Sequence, residues 1–261
     1  MHAVDLAQFK TLSRLDRKAR ATLVKVLDFS LEGAARLLEG AELKAARTWG
    51  RVRARLLRGR AAEAIVRSAE REQAELLVIG SRGVTEFQPM LLGSTSRKVL
   101  MQAPCPVLVV KRSARALKKV VLGTDGSIES WEAVSWLNGL HKEIRPVITV
   151  AGVIPPLPLE SLRIPARAVT VSDQIEGVLR REAQKLTARV AGTLKTARYP
   201  AKSIVLVGPP GAELVKLAGH ERADLIVVGS RSGRTAQNYF MGSVADTVVK
   251  HAPCSVLVYR G

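Results

Sequence analysis

Two stretches of the sequence carry glycines at a spacing suited to holding a polyanion. The first runs Gly80, two residues, Gly83, nine residues, then Gly93-Ser94. The second has Gly229, Gly242 and Ser243 in the same places, with Ser232 at the second glycine position and Gly233 beside it. Each follows an apolar run that reads as a strand, and each leads into a helix that opens at about the serine. A phosphate needs exposed backbone N–H groups, and a helix N-terminus presents them with a favourable dipole. Glycines let the chain turn tightly and approach the ligand with no Cβ in the way. Ser94 and Ser243 each add a hydroxyl able to donate one more hydrogen bond. Arg82 and Arg231 stand at equivalent places inside the loops, suited either to a phosphate or to solvent. Another acid of interest, Asp125, ends the apolar run KVVLGT at 119–124 and precedes Gly126-Ser127. Such a residue can bind a ligand, and it also suits closing a turn or capping the next helix.

These loops belong to an internal repeat. A shift of 149 residues (229 − 80) maps Gly80 onto Gly229, Gly93 onto Gly242, Pro104 onto Pro253 and Cys105 onto Cys254 without a gap. Such similarity points to duplication. The polar link KRSARALKK separates the copies, giving expected domains 1–112 and 117–261. The second copy reads as strand 119–124, helix 128–141 with Ser127 as N-cap, strand 147–154, a proline-rich loop at 155–165 and a long helix 173–197. Strand 203–207, helix 212–222, strand 225–228, helix 243–251 and strand 256–259 follow. Strands alternating with helices imply a parallel sheet covered on both faces. The first copy is shorter at its front. The spacing assigns residues 3–20 to the first helix, 22–27 (TLVKVL) to the second strand and 52–57 to the third, with no counterpart of strand 119–124 or its acid.

Composition narrows the function. The chain has 261 residues, 47% hydrophobic and 25% charged, as folded soluble domains do. No apolar run reaches the roughly 18 residues of a membrane helix, and the N-terminus lacks the order of a secretory signal, so a cytoplasmic protein without membrane contact is expected. The net charge of +18 is spread over both copies and attracts phosphorylated ligands without naming one. Arg47, Arg51, Arg53, Arg55, Arg58 and Arg60 form a run without an acid. It reads as a solvated strand face, Arg51, Arg53 and Arg55 alternating with Val52, Ala54 and Leu56. A nucleic-acid patch is the alternative, and the scarcity of stacking aromatics argues against it. Cys105 and Cys254 read as buried thiols, and no Cys/His cluster has zinc spacing. Neither a nucleophile–base–acid arrangement nor a GxxxxGK[ST] loop is found.

With the strand–loop–helix context repeated twice, G-x2-G-x9-G-S resembles the ATP-binding pattern of universal stress proteins, and the resemblance covers nearly all of both copies. It implies two doubly wound parallel-sheet domains of the adenine nucleotide alpha hydrolase-like type, with strand order 3-2-1-4-5 in the complete copy. It implies ATP with Mg²⁺, its ribose held at Thr124-Asp125-Gly126. Its adenine would meet the backbone of Val153, or of Val26 in the first copy. Its phosphates would lie along Gly229, Ser232, Gly233, Gly242, Ser243 and Val244. The first copy keeps the phosphate half, Gly80, Gly83, Gly93 and Ser94, and lacks the acid. A regulatory, stress-response role follows rather than catalysis, although slow ATP hydrolysis remains compatible. A nucleotide-free interaction module and an ATP-using enzyme of the related superfamily are the alternatives. The resemblance also implies an intramolecular pseudo-dimer joined through the last strands, 107–110 and 256–259, with a further homodimer left open. The absent central strand leads to the expectation that strand 22–27 pairs directly with strand 76–79.

Overall fold

The computed structural model describes residues 2–4, 17–81, 92–111, 116–139, 143–156, 169–230 and 241–260. By compactness the chain divides into two units, Met1–Gln73 and Ala74–Gly261.

The larger unit is built on a seven-stranded sheet. Its strands are β3 (Leu77–Gly80), β4 (Val107–Val110), β5 (Lys119–Gly123), β6 (Val147–Ile154), β7 (Ala201–Val207), β8 (Leu225–Gly229) and β9 (Ser255–Tyr259), in the order β3-β4-β9-β8-β5-β6-β7. Within the second copy this is the expected 3-2-1-4-5 order, every pair parallel. The central strands are continuous apolar runs because both faces are covered. Val120, Val121 and Leu122 of β5 and Ile226 and Val227 of β8 are at most 1% exposed. The crossover helices are α4 (Ile128–Asn138), α5 (Val169–Thr196), α6 (Pro210–Glu221) and α7 (Ser243–His251). Ala133, Val134 and Leu137 of α4 and Val190, Ala191 and Leu194 of α5 meet Val120, Leu122, Ile148, Val150 and Val227 in one core. Ser127 caps α4 as expected, its side chain accepting from the Ser130 N–H at 3.2 Å.

The two copies join through their last strands, as the family resemblance implies. β4 and β9 pair antiparallel, and the register sets Leu108 opposite Leu257. Since 257 − 108 = 149, each leucine faces its own duplicate, which places a local twofold at this pair. The same symmetry produces reciprocal helix caps. Lys111 Nζ donates to the carbonyls of Lys250 (3.3 Å) and Ala252 (2.9 Å) at the end of α7. Its duplicate, Arg260, donates to Leu100 (3.3 Å) and Met101 (2.6 Å) in the last turn of α3 (Ser94–Gln102). Carbonyls that a helix end leaves unpaired thus receive a cation from the other copy. Cys105 and Cys254 are both buried and form no disulfide, as read from sequence, and burial raises the Cys105 pKa.

The smaller unit overturns several expectations. Residues 22–27 are not a strand but lie within one 33-residue helix, α1 (Arg17–Trp49). Of the helix expected over 3–20, residues 3 and 4 are in a strand, 17–20 belong to α1, and 5–16 lie outside the described residues. A short strand, β1 (His2–Val4), pairs parallel with β2 (Leu56–Arg58) in a separate two-stranded sheet. The 149-residue shift carries Val153 onto Val4, so β1 is the counterpart of β6, and α1 of α5. Val26 lies inside α1 and is not at a strand end. A six-residue apolar run is ambiguous by itself, and here the long helix-forming context wins. The described residues of the first copy therefore hold no counterpart of either β5 or α4. The expected direct pairing of the second and fourth strands is not found: β1 pairs with β2, and β3 pairs with β4. The third strand starts at Leu56, so Arg51, Arg53 and Arg55 precede it and do not alternate along it. Arg55 forms an ion pair with Glu72.

At the opposite end of the sheet from the glycine loops, Glu221 gathers Lys202 Nζ (2.6 Å) and Thr149 Oγ1 (2.6 Å). Burial raises the pKa of Glu221, but the hydrogen bonds from Lys202 and Thr149 and the charges of Lys202 and Lys119 outweigh it, leaving the carboxyl below its ordinary value. A carboxylate with a depressed folded-state pKa contributes stability that is present above its unfolded pKa and lost as pH falls through the folded one. Glu221→Gln is therefore expected to flatten the acid limb of the unfolding midpoint below about pH 4.5, which thermal melts in a pH series would read.

Candidate functional site

Strands β5, β6 and β8 all end at the same edge of the sheet, and the segments leaving them enclose a cavity of about 210 Å³. Open parallel sheets bind ligands in such a place because adjacent crossovers diverge at the strand carboxyl ends. Gly123, Thr124, Asp125 and Ser127 line it from β5 and the turn after it, Val153 from β6, and Gly229 from β8. Gly242, Val244 and Ala245 line it from the start of α7, and Pro210 and Leu214 from α6.

Each wall has a local cause. At Gly123 an added Cβ would lie 2.8 Å from Leu214 Cδ1, so glycine lets α6 close over the end of β5. Gly126 turns the chain with φ +79°, a conformation open to glycine. The Thr124 hydroxyl lies 3.0 Å from Ser130 Oγ and accepts from the Gly126 N–H at 3.3 Å, so it fixes the turn. Asp125 is exposed, and its Oδ1 accepts from the Ser127 N–H at 3.0 Å. The turn-closing role weighed in the sequence is thus present, and it uses one oxygen of two. At α7 the N-cap is Gly242, and no side chain caps the helix among the described residues. As first-turn amides, those of Ser243, Val244 and Ala245 have no acceptor within the helix, and none of the described side chains caps them.

Of the residues singled out from sequence, Thr124, Asp125, Val153, Gly229, Gly242 and Val244 come together on this cavity. Gly126 and Ser243 adjoin it without lining it. Ser232, Gly233 and Arg231, like Gly83 and Arg82 in the first copy, lie outside the described residues. Sequence reasoning missed Gly123, Pro210 and Leu214. The glycine ending the strand KVVLG was the available signal for the first; Pro209-Pro210 after the third strand was one for the second.

The first copy repeats the frame of the loop. Ser81 N–H donates to Val110 O and Gly93 N–H to Ser81 O, as Ser230 N–H donates to Tyr259 O and Gly242 N–H to Ser230 O. Both loops are thus tied at the same two points. The copies differ one turn on. Ser96 of α3 donates its hydroxyl to Gly80 O at 2.8 Å, where its counterpart Ala245 faces the cavity. Gly80 and Ser94 are exposed and Gly93 is buried. No acid equivalent to Asp125 is present among the described residues.

Comparison with known proteins agrees with this architecture. The universal stress protein family model matches residues 1–111 and again 116–260. A universal stress protein of Methanocaldococcus jannaschii is 28% identical over 152 residues, 58% of this chain and 87% of that protein. A universal stress protein of Thermus aquaticus is 52% identical over 56 residues, 22% of this chain and 41% of that protein. Among solved structures, a universal stress protein from Archaeoglobus fulgidus superposes with a TM-score of 0.60 at 19% identity, covering 90% of this chain and 78% of that one, a likeness of fold. The chain belongs to the universal stress protein family, two copies in tandem, with the adenine nucleotide alpha hydrolase-like fold of that family.

Proposed function

We propose that the chain is a regulatory adenine-nucleotide-binding protein that holds ATP mainly in its second copy, residues 117–261. The observation that carries this is the convergence of a carboxylate (Asp125), a strand-end backbone (Val153) and the uncapped start of α7 on one cavity. Each suits a different part of the ligand. Asp125 Oδ2, not used in the turn, accepts from ribose hydroxyls. The backbone at Val153 meets the adenine edge. The amides of residues 243–245 and the glycines at 229, 233 and 242, with Ser232, receive phosphate oxygens. At about 210 Å³ the cavity is smaller than the roughly 300 Å³ at which pockets for drug-sized ligands begin. It encloses a nucleoside-sized portion and leaves the phosphates at its open mouth, beside α7.

A Mg²⁺ ion fits this scheme as a companion of the phosphates. No group of three or more His, Cys, Asp or Glu side chains that could hold a metal occurs among the described residues, and Mg²⁺ commonly needs only one or two carboxylates besides phosphate and water. The role proposed is binding rather than turnover: nucleotide occupancy would order the glycine loop and change which partners the surface accepts. A cytoplasmic setting is part of the proposal, and no described helix is long and apolar enough to cross a membrane.

The test is to denature the purified chain in formic acid and identify released nucleotide by mass spectrometry, after incubation with ATP and rapid desalting. About one adenine nucleotide per chain is expected. Release of none, together with no heat on titration with ATP, would favour a nucleotide-free interaction module.

A further inference from the structure

Strand β3 ends the seven-stranded sheet, whereas its duplicate β8 lies inside it. In the second copy β8 is flanked by β9 on one edge and β5 on the other, with Leu225, Ile226 and Val227 opposite Val120, Val121 and Leu122. In the first copy β3 is flanked by β4, and no described strand pairs with its other edge. The consequence shows in the side chains. Val227 is 0% exposed, and Val78, its counterpart under the 149-residue shift, is 57% exposed. Val227 is covered by a core that includes Ala133, Val134 and Leu137 of α4. β3 reads Leu-Val-Ile-Gly and carries none of the lysines or prolines that guard sheet edges against pairing.

We propose that this edge of β3 is a docking site for a strand–helix segment of another polypeptide. The segment would have the chemistry of residues 119–138: an apolar, β-branched strand running parallel to β3, then a helix whose small and apolar face covers Val78. The second copy shows what a partner must satisfy. Main-chain hydrogen bonds to the open edge give affinity, and alternate side chains entering the two faces give specificity. A second copy of the chain fits less well. Pairing β3 to β3 about a twofold would run antiparallel, as β4 and β9 do, whereas the strand beside the duplicate, β5, runs parallel to β8.

The experiment adds a synthetic peptide of residues 117–139 to the full chain and follows amide hydrogen exchange by mass spectrometry. Exchange in residues 76–80 is expected to slow about tenfold or more, saturably, with exchange in residues 225–229 unchanged. Val78→Lys, a change at an exposed position, should abolish the effect while leaving the melting temperature of the free chain in place. The proposal is overturned if the peptide has no effect, or if a scrambled peptide protects equally. It is also overturned if residues 76–80 are already protected in the dilute chain, or if their protection grows with chain concentration alongside a dimer mass. In those last two cases the edge would be covered by the chain itself or by its copy.

Discussion

Replacing Asp125 by alanine is expected to lower affinity for ATP about ten- to a hundredfold in isothermal titration. A hydrogen bond to a charged group contributes roughly 1.5–3 kcal/mol, and about 1.4 kcal/mol corresponds to each factor of ten. The carboxylate has two tasks in the proposed scheme, so two substitutions separate them. Asp125→Asn keeps an oxygen able to accept from the Ser127 N–H, 3.0 Å away in the native turn, and removes the charge. It should preserve the melting temperature and still weaken ATP binding. If alanine lowers the melting temperature while both variants bind ATP normally, Asp125 is a turn residue alone and the ribose assignment is wrong.

The largest effect on stability is expected at the junction of the copies. Leu257 is 1% exposed and belongs to the main core, and it pairs with Leu108 across the local twofold. Leu257→Ala should destabilise the chain by about 2–5 kcal/mol, since the cavity left in a close-packed sheet adds to the lost transfer energy. Leu108, its duplicate, is only half-buried, so Leu108→Ala should cost distinctly less. Urea titration of both variants would read the difference. Equal losses would mean that the first-copy side of the junction is as fully packed as the second. That would contradict the absence, among the described residues, of an α4 counterpart over it.

The second copy was legible because its local signals agree with its tertiary setting. β6 and α7 have the bounds read from sequence, and Ser127 caps the helix it precedes. The front of the first copy was not, although its strand at 77–80, the helix opening at Ser94 and the strand at 107–110 are where the sequence puts them. TLVKVL has strand composition, and only the unbroken helical context of residues 17–49, free of proline, decides against it. The pairing expected between the second and fourth strands rested on the cost of burying unpaired backbone. That cost does not arise when the strand lies at an exposed edge, as the exposure of Val78 shows. At the site, Asp125 and the glycines could be found because each sits at a strand end and carries a visible chemical type. Leu214 could not. It reaches the cavity through a right-handed crossover that lays α6 over the end of β5, a long-range consequence of topology with no local mark.

The central claim, that the mouth formed by the turn at Asp125 and the start of α7 receives a nucleotide, is tested most directly by the amide resonances of Ser243, Val244 and Ala245. With saturating ATP and Mg²⁺ these three should shift and gain protection from exchange, while Ser94, Thr95 and Ser96 in the first copy change little. Unmoved resonances at 243–245 under conditions where ATP is shown to bind would place the ligand elsewhere and contradict the account.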